Sequence, residues 1–276
     1  MRFRLRAALL TLLLAACGGH RPRPIIELPP PPPPPSGPPA PLRVIHASPD
    51  PTVAHVALTV DSRIAEQDLA FGACTDYGEV EAGSHVVAIL PRQLPPSTPP
   101  PLSETYHLVG PDPSTLIIHG IVGGSPGLGF TYTSDTADDP DPGKSRLRFF
   151  HASVGLGSIE VCVAREGHSS HRPGSPVFLP SDEGAFLRSA TPGAIGPWAQ
   201  LPAGPTTLQL RIPDEEHACH GTELGSATFD VPEMSRLTLV AVGRVDADPA
   251  VDPAILVCTD VAHGPVCTSV PLETGR

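Results

Sequence analysis

One stretch occurs twice in this 276-residue chain, and that repetition limits the possible folds more than any other feature. Leu42-Arg43-Val44-Ile45-His46-Ala47-Ser48-Pro49-Asp50 is echoed by Leu147-Arg148-Phe149-Phe150-His151-Ala152-Ser153. Apolar β-formers bounded by Ser, Pro and Asp read as a strand running into a turn. Pro49 has no N–H and stops ladder pairing, and Asp50 is placed to cap the turn. The second copy carries Val154-Gly155 in place of Pro-Asp, and glycine reaches the same turn by another backbone route. Two further blocks follow in the same order. Gly72–Gly83 lies opposite Gly193–Gly204, matching Tyr77 to Trp198 and Val80 to Leu201, and the apolar run Ser114–Val122 lies opposite Ser235–Gly243. The chain is a tandem duplication.

Each copy reads as short strands separated by Pro- and Gly-rich turns, with no long 3.6-period segment. In the first copy the strands fall near Leu42–Ala47, His55–Val60, Tyr77–Val80, Ser84–Leu90, Glu104–Val109, Thr115–Val122 and Gly129–Thr133. The best helical candidate is the brief, poorly patterned Asp61–Phe71. In the second copy they fall near Arg146–Ala152, Ile159–Ala164, Thr206–Ile212, Ala227–Val231 and Arg236–Val242, closed by a hairpin of Ala254–Thr259 and Pro265–Val270. The expected fold is all-β: two tandem Ig-like β-sandwich modules, 42–133 and 146–270, the second with a loop insertion at 165–193.

These residues also carry a resemblance. RVIHASPD (43–50), TDYGEVEAGSHVVAILP (75–91) and TLIIHGIV (115–122) resemble a bacterial domain-of-unknown-function family known by its HASPD strand-turn. The likeness covers roughly 42–130 and, more loosely, 146–260. It implies a β fold in a secreted or cell-surface protein and supplies no catalytic residues.

Residues 1–16 read as a targeting segment, with Arg2, Arg4 and Arg6 ahead of an apolar run too short to span a bilayer. Leu14-Ala15-Ala16-Cys17 resembles the lipobox of bacterial lipoproteins, which implies lipidation at Cys17 and a membrane anchor through the N-terminal lipid. Gly18 stands where Asp would signal inner-membrane retention, so an outer-membrane lipoprotein is expected, facing either the cell surface or the periplasm. Residues 17–41, with an unbroken proline run from Pro29 to Pro35, read as an extended stalk. Residues 134–145 form an acidic linker, read as a solvated spacer in preference to a calcium loop because the spaced Asp-x-Asp-x-Asp-Gly pattern is missing.

A formal charge of −11 and a single lysine, Lys144, argue against nucleic-acid binding. Of the six cysteines, Cys17 is assigned to lipid. An exported compartment allows disulfides, and the expected pairs are Cys162 with Cys219 and Cys258 with Cys267. Cys74 is then left over, as a buried thiol or an intermolecular link.

No catalytic constellation emerges. Gly123-Gly124-Ser125-Pro126-Gly127 matches the serine-hydrolase elbow pattern, but Pro126 lacks the N–H an oxyanion hole needs. His168, His171, His217 and His220, with Cys219 nearby, offer metal-ligand chemistry, against the plainer reading of exposed loop histidines. His46 and His151, equivalent across the repeat, are read as structural turn histidines. No cofactor is expected. The chain reads as a non-enzymatic, lipid-anchored envelope protein of structural, adhesive or ligand-binding type, whose partner is an envelope protein or an extracellular polymer. The alternative is a metal-binding protein or metal-dependent enzyme using the loop histidines.

Overall fold

Sixteen strands make up the described part of the chain in a computed structural model, which describes residues 38–95, 98–164, 190–214, 219, 221–245, 251–260 and 267–273. The first eight are β1 (Ala40–His46), β2 (His55–Val60), β3 (Arg63–Ala70), β4 (Gly78–Val80), β5 (Gly83–Pro91), β6 (Leu102–Leu108), β7 (Ser114–His119) and β8 (Gly129–Ser134). They form two sheets, ordered β4-β1-β7-β8 and β3-β2-β5-β6. The second eight are β9 (Lys144–His151), β10 (Glu160–Ala164), β11 (Ala199–Pro202), β12 (Gly204–Arg211), β13 (Glu223–Val231), β14 (Arg236–Arg244), β15 (Val251–Thr259) and β16 (Cys267–Pro271). Their sheets run β11-β9-β14-β15-β16 and β10-β12-β13. The repeat is therefore topological as well as sequential: β1 pairs in parallel with β7, and β9 in parallel with β14. The register sets Thr238, partner of Arg148, against Thr115, partner of Arg43. The third repeated block thus aligns two residues further along the second copy than the sequence suggests, with Gly120 opposite Gly243. Among the described residues the fold is all-β and sandwich-like.

The described residues form one compact unit of four sheets. Each half has its own core. In the first, Leu42, Val44, Val56, Leu58, Val87, Ile89, Leu116 and Ile118 meet between the sheets. In the second, Leu147, Phe149, Val161, Leu208, Leu237, Leu239 and Ile255 do the same. A third cluster joins the halves: Ile45, Ala47 and Ile117 pack against Phe150, Ala152, Val240, Val242, Leu256 and Cys258. Strand alternation explains this arrangement. Leu42, Val44 and His46 point one way along β1, and Arg43, Ile45 and Ala47 point the other, toward the second half. Both inner sheets are thus buried on both faces, which is why β7 and β14 read as near-continuous apolar runs. Burying each large side chain of the third cluster contributes about 1.5–3 kcal/mol.

The two repeated turns reach one geometry by different chemistry. In the first, the Asp50 carboxylate accepts from Thr52 N (2.8 Å), Thr52 Oγ1 (2.7 Å) and Val122 N (2.7 Å). Burial raises the Asp50 carboxyl, but these donors outweigh it and hold it below its ordinary value. In the second, Gly155 takes φ +82°, and the Val154 carbonyl accepts from Val245 N (3.1 Å) in place of the carboxylate. Gly120 O accepts from the Ser48 hydroxyl (2.6 Å), since Pro49 has no N–H to offer, whereas its counterpart Gly243 O accepts from Val154 N (2.9 Å).

The segment read as a helical candidate, Asp61–Phe71, is instead the edge strand β3. Asp61 and Ser62 both take positive φ (48° and 65°) and form a two-residue hairpin turn that pairs Val60 with Arg63. Register irregularities between β2 and β3 blur the strand's alternation, which hides it from a period-2 reading.

Candidate functional site

At the plane between the halves two arginines are sealed from solvent. Arg43 and Arg148, equivalent residues of β1 and β9, are 0% and 1% exposed. Each reaches across to the other half. Arg43 Nη1 lies 2.6 Å from Asp260 Oδ1 and donates to Thr259 O at 3.4 Å. Arg148 Nη2 pairs with Asp135, and its Nη1 donates to Ser134 O (2.8 Å) and Thr133 Oγ1 (3.0 Å). Within its own half each arginine donates from Nε to a threonine on the parallel neighbour strand, Thr115 for Arg43 (3.2 Å) and Thr238 for Arg148 (3.0 Å). The guanidinium carbons stand 5.0 Å above the Tyr77 ring and 4.4 Å above the Trp198 ring. Tyr77 and Trp198, matched across the repeat, are thus the stacking faces of a reciprocal ion-pair centre.

The centre is symmetric in position but not in charge. Asp135 accepts from the Tyr77 hydroxyl (2.6 Å) and the Thr115 hydroxyl (2.6 Å) as well as from Arg148. Tryptophan offers no hydroxyl at the matching place, and Asp260 has Arg43 as its ion-pair partner without a well-aligned hydrogen bond. Burial pushes the Asp260 carboxyl up to about 6, Arg43 opposes this, and the Asp135 charge adds to it. Burial likewise raises the Tyr77 phenol, keeping it a protonated donor.

The two turn histidines border this plane. Nε2 of His46 contacts Val53 O at 2.6 Å, and Nε2 of His151 contacts Gly157 O at 2.9 Å. A carbonyl can only accept, so Nε2 carries the proton in both rings. Burial lowers the His46 imidazole to about 4 against a smaller upward effect of its bond to Val53 O, and burial lowers His151 as well.

Three cysteines meet near the same plane. Cys258 and Cys267 are register partners on β15 and β16, with Cα atoms 4.1 Å apart. Cys74, which bridges Ile45 of β1, has its Cα 5.8 Å from that of Cys267. The three sulfurs lie within 4.8 Å of one another, so Cys267 has two disulfide partners within reach. Cys74 is therefore no isolated leftover: the fold brings it to the other end of the terminal hairpin. Cys162 and Cys219 are disulfide-bonded, and the Cys219 N–H donates to the buried Glu160 carboxylate at 2.7 Å. Among the described residues, the groups whose ligand atoms lie within 4.8 Å of one another are Cys74/Cys258/Cys267 and Glu160/Cys162/Cys219, both built on disulfide sulfur.

The remaining sequence candidates sort by position. Cys17, His168, His171, His217 and His220, with residues 17–37 of the stalk and most of the 165–193 insertion, lie outside the described residues, and the last two stalk positions, Ala40 and Pro41, belong to β1. The acidic segment is not a free spacer. Asp135 is buried against Arg148, Asp138 and Asp139 pair with Arg146 (3.6 Å) and Arg236 (2.8 Å), and Asp141 pairs with Lys144 (2.8 Å). Its carboxylates are already engaged by cations and do not converge on one point. Gly123–Gly127 forms the turn between β7 and β8 with no helix behind it. The sequence reading missed the arginine–aspartate centre. Its signal was Arg at the same place in two apolar strands, with Asp just past the strand that follows each TLII-like run.

Comparison with known proteins adds a family and little else. No curated protein matches the chain. Among solved structures, a product complex of SpuA, a multi-modular glycogen-degrading pneumococcal virulence factor, is similar at 14% identity and TM-score 0.22. The match covers 72% of this chain and 20% of that one, so the chain spans about a fifth of that protein. A streptococcal virulence factor described for alpha-glucan binding is similar at 13% identity and TM-score 0.21, covering 77% and 96%. Likeness this slight bears on neither fold nor function. Residues 40–162, from β1 into β10 and including both buried arginines, match the model of a family described as a domain of unknown function, DUF4397.

Proposed function

We propose that the protein is a lipid-anchored, non-enzymatic cell-envelope component of structural, adhesive or ligand-binding type. In this reading two tandem β-sandwich modules stand on a proline-rich stalk at the outer membrane. The observation that carries it is the use to which the buried polar chemistry is put. Arg43, Arg148, Asp135, Asp260 and the inter-half cysteines join one half to the other, which suits a stiff head that presents its outer surfaces. Those surfaces include the edge strand β3, exposed along most of its length, with Ile64 61% exposed. Exposed edges offer backbone groups to an added strand, and loops offer side chains to a polymer.

Protease shaving of intact cells, with lysed cells as control, tests this reading. Cleavage of the head in intact cells supports a surface role in adhesion or matrix binding. Protection until lysis removes adhesion and leaves a periplasmic structural role.

A further inference from the structure

We propose that Cys74, Cys258 and Cys267 form a thiol–disulfide exchange site in which Cys267 alternates between two partners. Valence carries the inference. The Cys74, Cys258 and Cys267 sulfurs lie within 4.8 Å of one another, and a sulfur holds one disulfide. The cluster therefore contains one disulfide and one thiol, with the thiol resting against the disulfide it can attack.

The Cα separations assign the resting state. At 5.8 Å the Cys74–Cys267 pair sits mid-range for disulfides, and at 4.1 Å the Cys258–Cys267 pair is shorter than the usual range, so closing that link asks for a small shift of the hairpin. In the exchange, the Cys258 thiolate attacks the Cys267 sulfur. The Cys258–Cys267 bond forms as the Cys74–Cys267 bond breaks, the electron pair leaves on the Cys74 sulfur, and solvent returns to it the proton that Cys258 gave up. One disulfide and one thiol stand on each side, so no oxidant or reductant is consumed.

The two states differ in what they tie together. Cys74–Cys267 staples the first half to the second across 193 residues, and Cys258–Cys267 closes a hairpin of 9. They also differ in what they present. Cys258 is fully buried, whereas Cys74 is half-buried, so exchange carries the thiol from the interior toward solvent. The reactive partner this site fits is an external disulfide, whose sulfur the Cys74 thiolate attacks.

The test is disulfide mapping of the full chain, purified without reductant. One portion is quenched in acid at once, and another is held at pH 8 with N-ethylmaleimide before quenching, both without denaturant. The expected result is a link that changes: Cys74–Cys267 at the start, alone or with Cys258–Cys267, then Cys258–Cys267 with maleimide on Cys74. A single link that is the same before and after labelling overturns the proposal. So does an intermolecular disulfide through Cys74, or three reduced sulfurs holding a stoichiometric zinc or copper ion.

Discussion

Replacing Asp135 with alanine tests whether the ion-pair centre holds the halves together. The carboxylate neutralises a guanidinium that is 1% exposed, and it also accepts from Tyr77 and Thr115. Removing one partner of a buried pair costs about 3–5 kcal/mol, because the remaining charge is left uncompensated. Orphaning the Tyr77 hydroxyl adds about 1–3 kcal/mol. Against this, Arg148 keeps the Thr238, Thr133 and Ser134 oxygens and the Trp198 face, and the Asp260 charge lies in the same cluster. The expected loss for Asp135→Ala is therefore about 4 kcal/mol, a large share of the stability of an ordinary domain. Urea unfolding measures it, followed by fluorescence of Trp198, the only tryptophan, and by circular dichroism as an independent probe. Arg148→Met in the same background removes the stranded charge while filling similar space, and recovers at least about 2 kcal/mol of the loss. The reasoning fails if Asp135→Ala costs under about 1 kcal/mol, or if the double variant loses the sum of the two single losses.

Three further outcomes follow from the same geometry. His46 is held neutral to about pH 4, so the unfolded chain takes up its proton first as pH falls below 6.5; about 3 kcal/mol of stability is lost between pH 6.5 and 4 and none above, and His46→Gln flattens that slope in urea titrations. Asp260, raised to about 6, has the opposite sign: the folded state takes up its proton first, stability is regained as pH falls from about 6 toward 4, and Asp260→Asn steepens the acid loss measured the same way. Cys74→Ala leaves the 9-residue link and Cys258→Ala the 193-residue link, so loop entropy makes the second variant more stable by about 2–3 kcal/mol in denaturant melts, and equal stabilities would count against a staple between the halves.

Much of this architecture was legible because it rests on local chemistry. The duplicated strand-turn, the short strands between Pro- and Gly-rich turns, and the opposition of Cys258 to Cys267 across a hairpin all come from patterns that repeat within a few residues. The strand at Arg63–Ala70 was not legible, because its turn is Asp-Ser in place of a glycine-bearing pair and its pairing is irregular. The ion-pair centre was half legible: the repeat displays Arg43 beside Arg148, but a strand of alternating faces does not say what covers the second face.

Length, repetition and turn chemistry thus determined that two similar all-β units would form, since periodicity and Pro/Gly/Asp preferences act within one strand or turn. The tertiary structure alone decided that the inner sheets stack on each other. That stacking turned Arg43 and Arg148 from solvent-facing charges into reciprocal buried partners of Asp260 and Asp135, and it brought Cys74 to a hairpin 193 residues away. The physical reason is that burial and ion pairing depend on which surface arrives opposite a residue, and that surface comes from the other copy of the repeat.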